Sequence, residues 1–210
     1  MLPPTIPIFP LPNVVLFPNV FLPLHIFEPR YRQMVDAALN GDRIIGMVLL
    51  RPGWERDYDG RPSVYPLGCA GVITHAERLP DGRFNIVLRG MEKFRITGEE
   101  TEQLYRLATV VAVPEPPAES VRQEMRGARA RLEALLVPQP EGQARDRKVP
   151  SSMPDEDLVN ALAQYLEFDP VEKQALLERD GLLDRCLSLI ELLEIKVLAA
   201  RHSWDRDGSH

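Results

Sequence analysis

The chain has 210 residues, enough for one large domain or two small ones. Its 44% hydrophobic and 27% charged residues describe an ordinary folded protein, while a net charge of −6 and a pI near 5.3 argue against broad nucleic-acid binding, which needs clustered positive surface. Cys69 and Cys186 form no CxxC pair, which speaks against a disulfide framework or a zinc cluster and for buried reduced thiols. No uninterrupted apolar run approaches the ~20 residues of a membrane helix. The apolar N-terminus lacks a basic leader and is broken by prolines, so the expected location is the cytoplasm.

Residues 6–11 (IPIFPL) predict a short strand, placed at a sheet edge because proline cannot donate to a ladder. The next stretch, 14–32, reads VVLFPNVFLPLHIFEPRYR, with extended pieces at 14–17 and 20–24. Its prolines fix φ and remove donors, so side-chain packing has to hold it. Pro29 suits the first position of a helix over 28–40, in which Tyr31, Met34, Val35, Ala38 and Leu39 share one face and Gly41 ends the run.

The apolar run 44–50 predicts a buried strand, and 51–66 an exposed polar loop. Residues 68–79 and 83–97 flank Pro80-Asp81-Gly82, a strong hairpin signal, with a bulge expected at Gly90. Residues 104–113 are expected to close this sheet, and PEPPA at 114–118 ends it. Helices are then predicted over 119–136, 154–166, 170–178 and 182–201. Ser152 and Asp155 have capping-box spacing, as do Asp169 and Glu172 around Pro170. Leu183, Leu187, Ile190, Leu193 and Val197 form the expected stripe of the last helix. The fold class that follows is α+β, with a β-barrel lobe over 1–117 and a helical subdomain over 118–210.

Three segments together resemble the N-terminal, substrate-binding domain of the Lon protease family. They are PIFPLPNVVLFPNVFLPLHIFEPRYRQMV, YPLGCAGVITHAERLPDGRFNIVLRGMEKFRI and LVNALAQYLEFDPVEKQALLERDGLLDRCLSLIELL, in fixed order over roughly 5–195. The resemblance implies a PUA-like β-barrel with a helical appendage and a role in recognising polypeptides. It implies neither ATP hydrolysis nor peptide cleavage, because the 210 residues hold no GxxxxGK[ST] loop and no segment like the family's Ser–Lys protease site. The expectation is thus a stand-alone member without the ATPase and protease domains.

No catalytic constellation emerges from the residues. None of the serines lies in GxSxG, and His25 and His75 read as structural. His75 and Glu77 are two apart on a strand but lack a third metal ligand. Asp57–Gly60 and Asp180-Gly181 fit turn chemistry better than a calcium loop. The basic run 122–131 reads as a solvated helix face. No enzyme activity, cofactor or metal is expected.

For the 14–32 stretch, one reading has Val15, Phe17, Leu22, Leu24 and Phe27 plugging the barrel, each contributing about 1.5–3 kcal/mol by burial. A sharper one makes Pro18, Val20 and Phe21 an exposed apolar tip that contacts an unfolded or extended polypeptide, with Trp54 and Tyr58 extending it. Strand addition at the proline-bearing edge is the other docking mode. An RNA-binding role follows only by analogy with the fold, and a hydrolase with an unrecognised site is the remaining alternative. A protein partner fits the same surface; the oligomeric state is open.

Overall fold

The computed structural model describes residues 2–57, 60–100, 102–136 and 153–207. Tyr58, Ser152 and the expected loop at 138–150 lie outside them. Two compact units partition the chain: Met1–Pro114 with Asn160–Glu178, and Glu115–Val159 with Arg179–His210. Composition shifts at 117, but residues 160–178 cluster with the sheet, because compactness follows contacts rather than chain order.

The first unit is built on six strands: β1 (Thr5–Leu11), β2 (Phe21–Ile26), β3 (Ile44–Leu49), β4 (Leu67–Arg78), β5 (Phe84–Glu100) and β6 (Arg106–Val113). Their order is β2-β5-β4-β3-β1-β6, and a further β5–β6 pairing closes the last five into a barrel. The seventeen-residue β5 makes this possible. Its first part (Phe84–Arg89) pairs with β2, and its second part (Lys93–Glu100) pairs with β6. Helix α1 (Pro29–Leu39) buries Tyr31, Met34, Val35 and Ala38, as the apolar spacing requires.

The expected edge position of β1 is not the observed one. β1 lies between β3 and β6, yet each neighbour covers only half of it: β6 pairs with Thr5–Ile8 and β3 with Ile8–Leu11. The Leu11 carbonyl accepts from Leu50 N–H, so odd positions of β1 face β3 and even ones face β6. Pro7 therefore faces the β3 side before that pairing begins, and Pro10 the β6 side after it has ended. Neither missing donor interrupts a ladder.

Inside the barrel, Ile6, Ile8, Ile44, Val48, Ala70, Phe94, Ala108 and Val110 form the core. A Cβ at Gly46 would stand 2.7 Å from the Phe94 ring and one at Gly68 2.9 Å from it, so two glycines make room for one aromatic. This filling comes from the strands themselves, which corrects the expectation that the 14–32 stretch plugs the barrel. Val15 and Phe17 are buried, Leu22 and Leu24 are only half-buried, and Phe27 is 62% exposed.

The second unit contains α2 (Arg122–Leu136) and α5 (Leu182–Asp207), with the start of α3 (Asp155–Tyr165). Met125, Ala128 and Leu132 are the buried face of α2. On α5 the buried positions are Leu182, Arg185, Cys186, Leu189 and Ile190. The expected stripe is therefore rotated: Leu187 and Val197 are exposed. Hydropathy could not find this face, because the fully buried Arg185 belongs to it through an ion pair with Glu115. Three basic residues of α2 form ion pairs, Arg129 with Glu133 and Asp155, Arg131 with Glu194, and Arg122 with Glu119.

Candidate polypeptide-binding surface

Residues 14–20 take no regular structure, and two sets of partners hold them. On one side lies the Gly71–Gly90 pair of β4 and β5. A Cβ at Gly90 would sit 2.0 Å from the Phe17 carbonyl oxygen, and one at Gly71 2.9 Å from the Leu16 side chain, so both glycines admit the crossing chain. Asn19 N–H donates to the Gly90 carbonyl at 3.0 Å, and Gly90 N–H donates to the Val20 carbonyl at 2.9 Å. The expected bulge falls here, with three steps from Gly90 to Lys93 against two from Cys69 to Gly71. Asn19 takes φ 62°, a left-handed conformation that asparagine tolerates.

On the other side stands the end of α3. The Asn160 amide donates to the Pro18 carbonyl at 3.1 Å. Gln164 accepts from Phe17 N–H at 3.1 Å and donates to the Phe21 carbonyl at 3.3 Å, and the Tyr165 hydroxyl donates to that same carbonyl at 2.6 Å. Asn160 and Gln164 are buried, and each returns to the prolines' neighbourhood the hydrogen bonds that no ladder supplies. These amides escaped sequence reasoning, although two amides four apart on the apolar face of LVNALAQY were a readable signal.

Helix α4 (Pro170–Leu177) locks α3 to the sheet. Lys173 donates to the Gln164 carbonyl at 2.6 Å, and burial holds its ammonium pKa below the ordinary lysine value. Gln174 donates to the Leu67 carbonyl at 2.9 Å. The Asp169–Glu172 capping box forms, with Asp169 N–H donating to Glu172 at 2.8 Å.

This arrangement decides what each expected contact residue presents. Pro18 and Val20 are buried under the clamp, so the apolar tip narrows to Phe21, which is 51% exposed. Trp54 is half-buried in a single 3-10 turn, Trp54–Asp57, after β3. β5 and β4 separate β2, which begins at Phe21, from β3, the strand that precedes the Trp54 turn. Tyr58 lies outside the described residues. The aromatic that does stand beside Phe21 is Tyr165, 63% exposed.

The open edge of the sheet is β2, and it is blunted. Val20 and alternate residues after it turn their backbone toward β5, leaving Phe21, Pro23 and His25 to face outward. The Phe21 carbonyl is already doubly occupied and Pro23 has no N–H. The Phe21 N–H, the Pro23 carbonyl and the His25 peptide groups are what remain of the edge, a short template for strand addition. His25 itself is exposed and hydrogen-bonded, with Nδ1 2.8 Å from Asn85 Oδ1 and Nε2 3.2 Å from Arg83. Among the described residues no group of three His, Cys, Asp or Glu side chains is placed to hold a metal ion. No helix among them is long and apolar enough to cross a membrane.

The family model of the ATP-dependent protease La (LON) substrate-binding domain matches residues 5–194. The chain belongs to that family. Lon protease 1 of Herpetosiphon aurantiacus is 30% identical over 210 residues, covering 94% of this chain and 25% of that protein. Lon protease 2 of Myxococcus xanthus is 29% identical, with 93% and 24% covered. The chain thus spans about a quarter of the curated relatives it matches. Two solved structures share the Lon N-terminal fold. The N-terminal domain of Mycobacterium avium complex Lon protease superposes with a TM-score of 0.64 at 18% identity, covering 90% of this chain and 98% of that one. A Lon N-terminal domain protein from Xanthomonas campestris gives 0.60 at 21%, covering 89% and 97%. The α+β architecture of barrel and helices implied by the resemblance is the one observed.

Proposed function

We propose that this chain is a non-catalytic module that recognises unfolded or extended polypeptides and serves proteolysis or protein quality control. The family match supports the substrate-recognition part of this reading. The observation that carries it is the pair Phe21 and Tyr165. Both side chains are more than half exposed, and the Tyr165 hydroxyl and the Gln164 amide both donate to the Phe21 carbonyl, which ties Tyr165 to the Phe21 backbone. A preorganised aromatic pair loses little entropy on contact and suits an apolar segment of a partner chain. Cys69 and Cys186 are buried thiols outside any disulfide, which favours a reducing compartment, in line with a cytoplasmic location.

The test is fluorescence anisotropy with a labelled, permanently unfolded polypeptide and with a labelled RNA of similar length, each at two salt concentrations. Saturable polypeptide binding with weak salt dependence supports the reading. Polypeptide silence with salt-sensitive RNA binding replaces it with a nucleic-acid role. Phe21→Asp should weaken polypeptide binding by about tenfold or more without altering the fold, as a contact-centre aromatic does. Unchanged affinity in the folded variant rules this surface out.

A further inference from the structure

The Phe21–Tyr165 surface is apolar and says nothing about chain polarity. A second feature of the barrel unit does. A cavity of about 500 Å³ opens where the end of β1, the start of α1, the end of β3 and the entry to β6 meet. Its size lies within the roughly 300–1,000 Å³ of small-ligand sites. Arg30, Arg61 and Arg106 line it, each from a different element, and apolar walls come from Tyr31, Tyr105 and Leu104.

The charge there is positive by one. Among the described residues no acidic side chain lines the cavity. Arg30 is paired with Glu28 at 3.0 Å and Arg106 with Glu99 at 2.6 Å. Arg61 donates to the carbonyls of Glu100 at 2.8 Å and Gln103 at 3.4 Å, so these bonds fix its guanidinium without neutralising it. Three cations thus meet two carboxylates in a chain whose net charge is −6. Leu104, at the rim, is 74% exposed, an apolar side chain without cover.

We propose that this cavity holds the C-terminal carboxylate of a polypeptide whose last side chain is apolar. The inference rests on the polypeptide-recognition reading and deepens it by naming the part of the substrate. Guanidinium groups bind carboxylates through paired, charge-assisted hydrogen bonds, and Tyr31, Tyr105 and Leu104 offer contact to the terminal side chain. Here the carboxylate's charge is what Arg61 complements, since Arg30 and Arg106 already face Glu28 and Glu99.

The test uses anisotropy with three labelled hexapeptides ending in leucine: a free acid, its C-terminal amide, and an amide carrying an internal aspartate. The free acid should bind about tenfold or more tightly than either amide at low salt, from charge-assisted hydrogen bonding. Arg61→Gln should erase the difference. Leu104→Glu, on an exposed rim position, should do so with an unchanged Tm. Equal binding of acid and amide by the native protein overturns the proposal. Equal binding of the free acid and the internal aspartate peptide overturns the assignment to a chain end. If the long unfolded polypeptide binds while acid and amide are indistinguishable, only this proposal falls. If no polypeptide binds at all, the recognition reading falls with it.

Discussion

Gln164 bridges Phe17 and Phe21, accepting the N–H of one at 3.1 Å and donating to the carbonyl of the other at 3.3 Å. One side chain thereby supplies both ends of the five-residue crossing 17–21, which contains Pro18. Replacing it with leucine keeps the volume and removes both bonds. Phe17 N–H is then buried without that acceptor, at a cost of about 1–3 kcal/mol. Urea denaturation of Gln164→Leu should show a lower midpoint with an unchanged slope. An unchanged midpoint means the clamp contributes nothing.

Gly90 is the other half of that grip. A methyl group there meets the Phe17 carbonyl at 2.0 Å, and backbone cannot rotate away as a side chain can. Gly90→Ala should cost about 1–3 kcal/mol or more by overpacking. Gly127→Ala, where nothing lies within 4 Å, is the matched control and should raise stability by about 0.5–1 kcal/mol in its helix. Thermal melts of the pair decide it, and equal melting temperatures would remove the close-approach account.

Removing Glu115 leaves Arg185 fully buried beside no carboxylate of its own pair. Glu115→Gln should therefore destabilise the helical unit by about 3–5 kcal/mol, the cost of breaking a buried pair from one side. Arg185→Met with Glu115→Gln should recover part of that loss. A double variant worse than the single one contradicts the ion-pair account.

Burial chiefly raises the pKa of Glu156, reinforced by the Glu115 and Asp157 charges. The folded state therefore holds this proton to higher pH than the unfolded chain does. Its contribution favours folding below the unfolded carboxylate pKa and is lost as pH rises through the folded value. Glu156→Gln should lessen the fall in stability over that window. A pH profile parallel to the native one refutes this assignment.

Burial also pushes the Cys186 thiol up to about 11, and Cys69 is equally buried. At pH 8 neither should react with a disulfide reagent until denaturant opens the fold. Rapid labelling of the native protein would show that the structure opens locally around one of them.

Much of the architecture was legible because local rules dictate it. The Asp81-Gly82 turn, the apolar face of α1, the Asp169–Glu172 capping box and the glycine at the bulge each follow from a few adjacent residues. The order of family motifs from Pro7 to Leu193 placed the barrel before the helices. What stayed hidden depends on partners far apart in the chain. β1 is interior because its two neighbours are staggered past its prolines, which no property of IPIFPL reveals. The α5 face follows Arg185, and burial of an arginine is decided by Glu115, seventy residues away. Pro18 and Val20 read as an exposed tip because local sequence shows only that no ladder holds them. That the amides of Asn160 and Gln164 cover them, leaving Phe21 and Tyr165 outside, is decided by α3 packing on the barrel. Sequence alone determined where the chain turns and which segments are apolar, since those are short-range properties of the backbone and side chains. Tertiary structure decided which apolar residues remain at the surface, because burial is a property of pairs that only folding brings together.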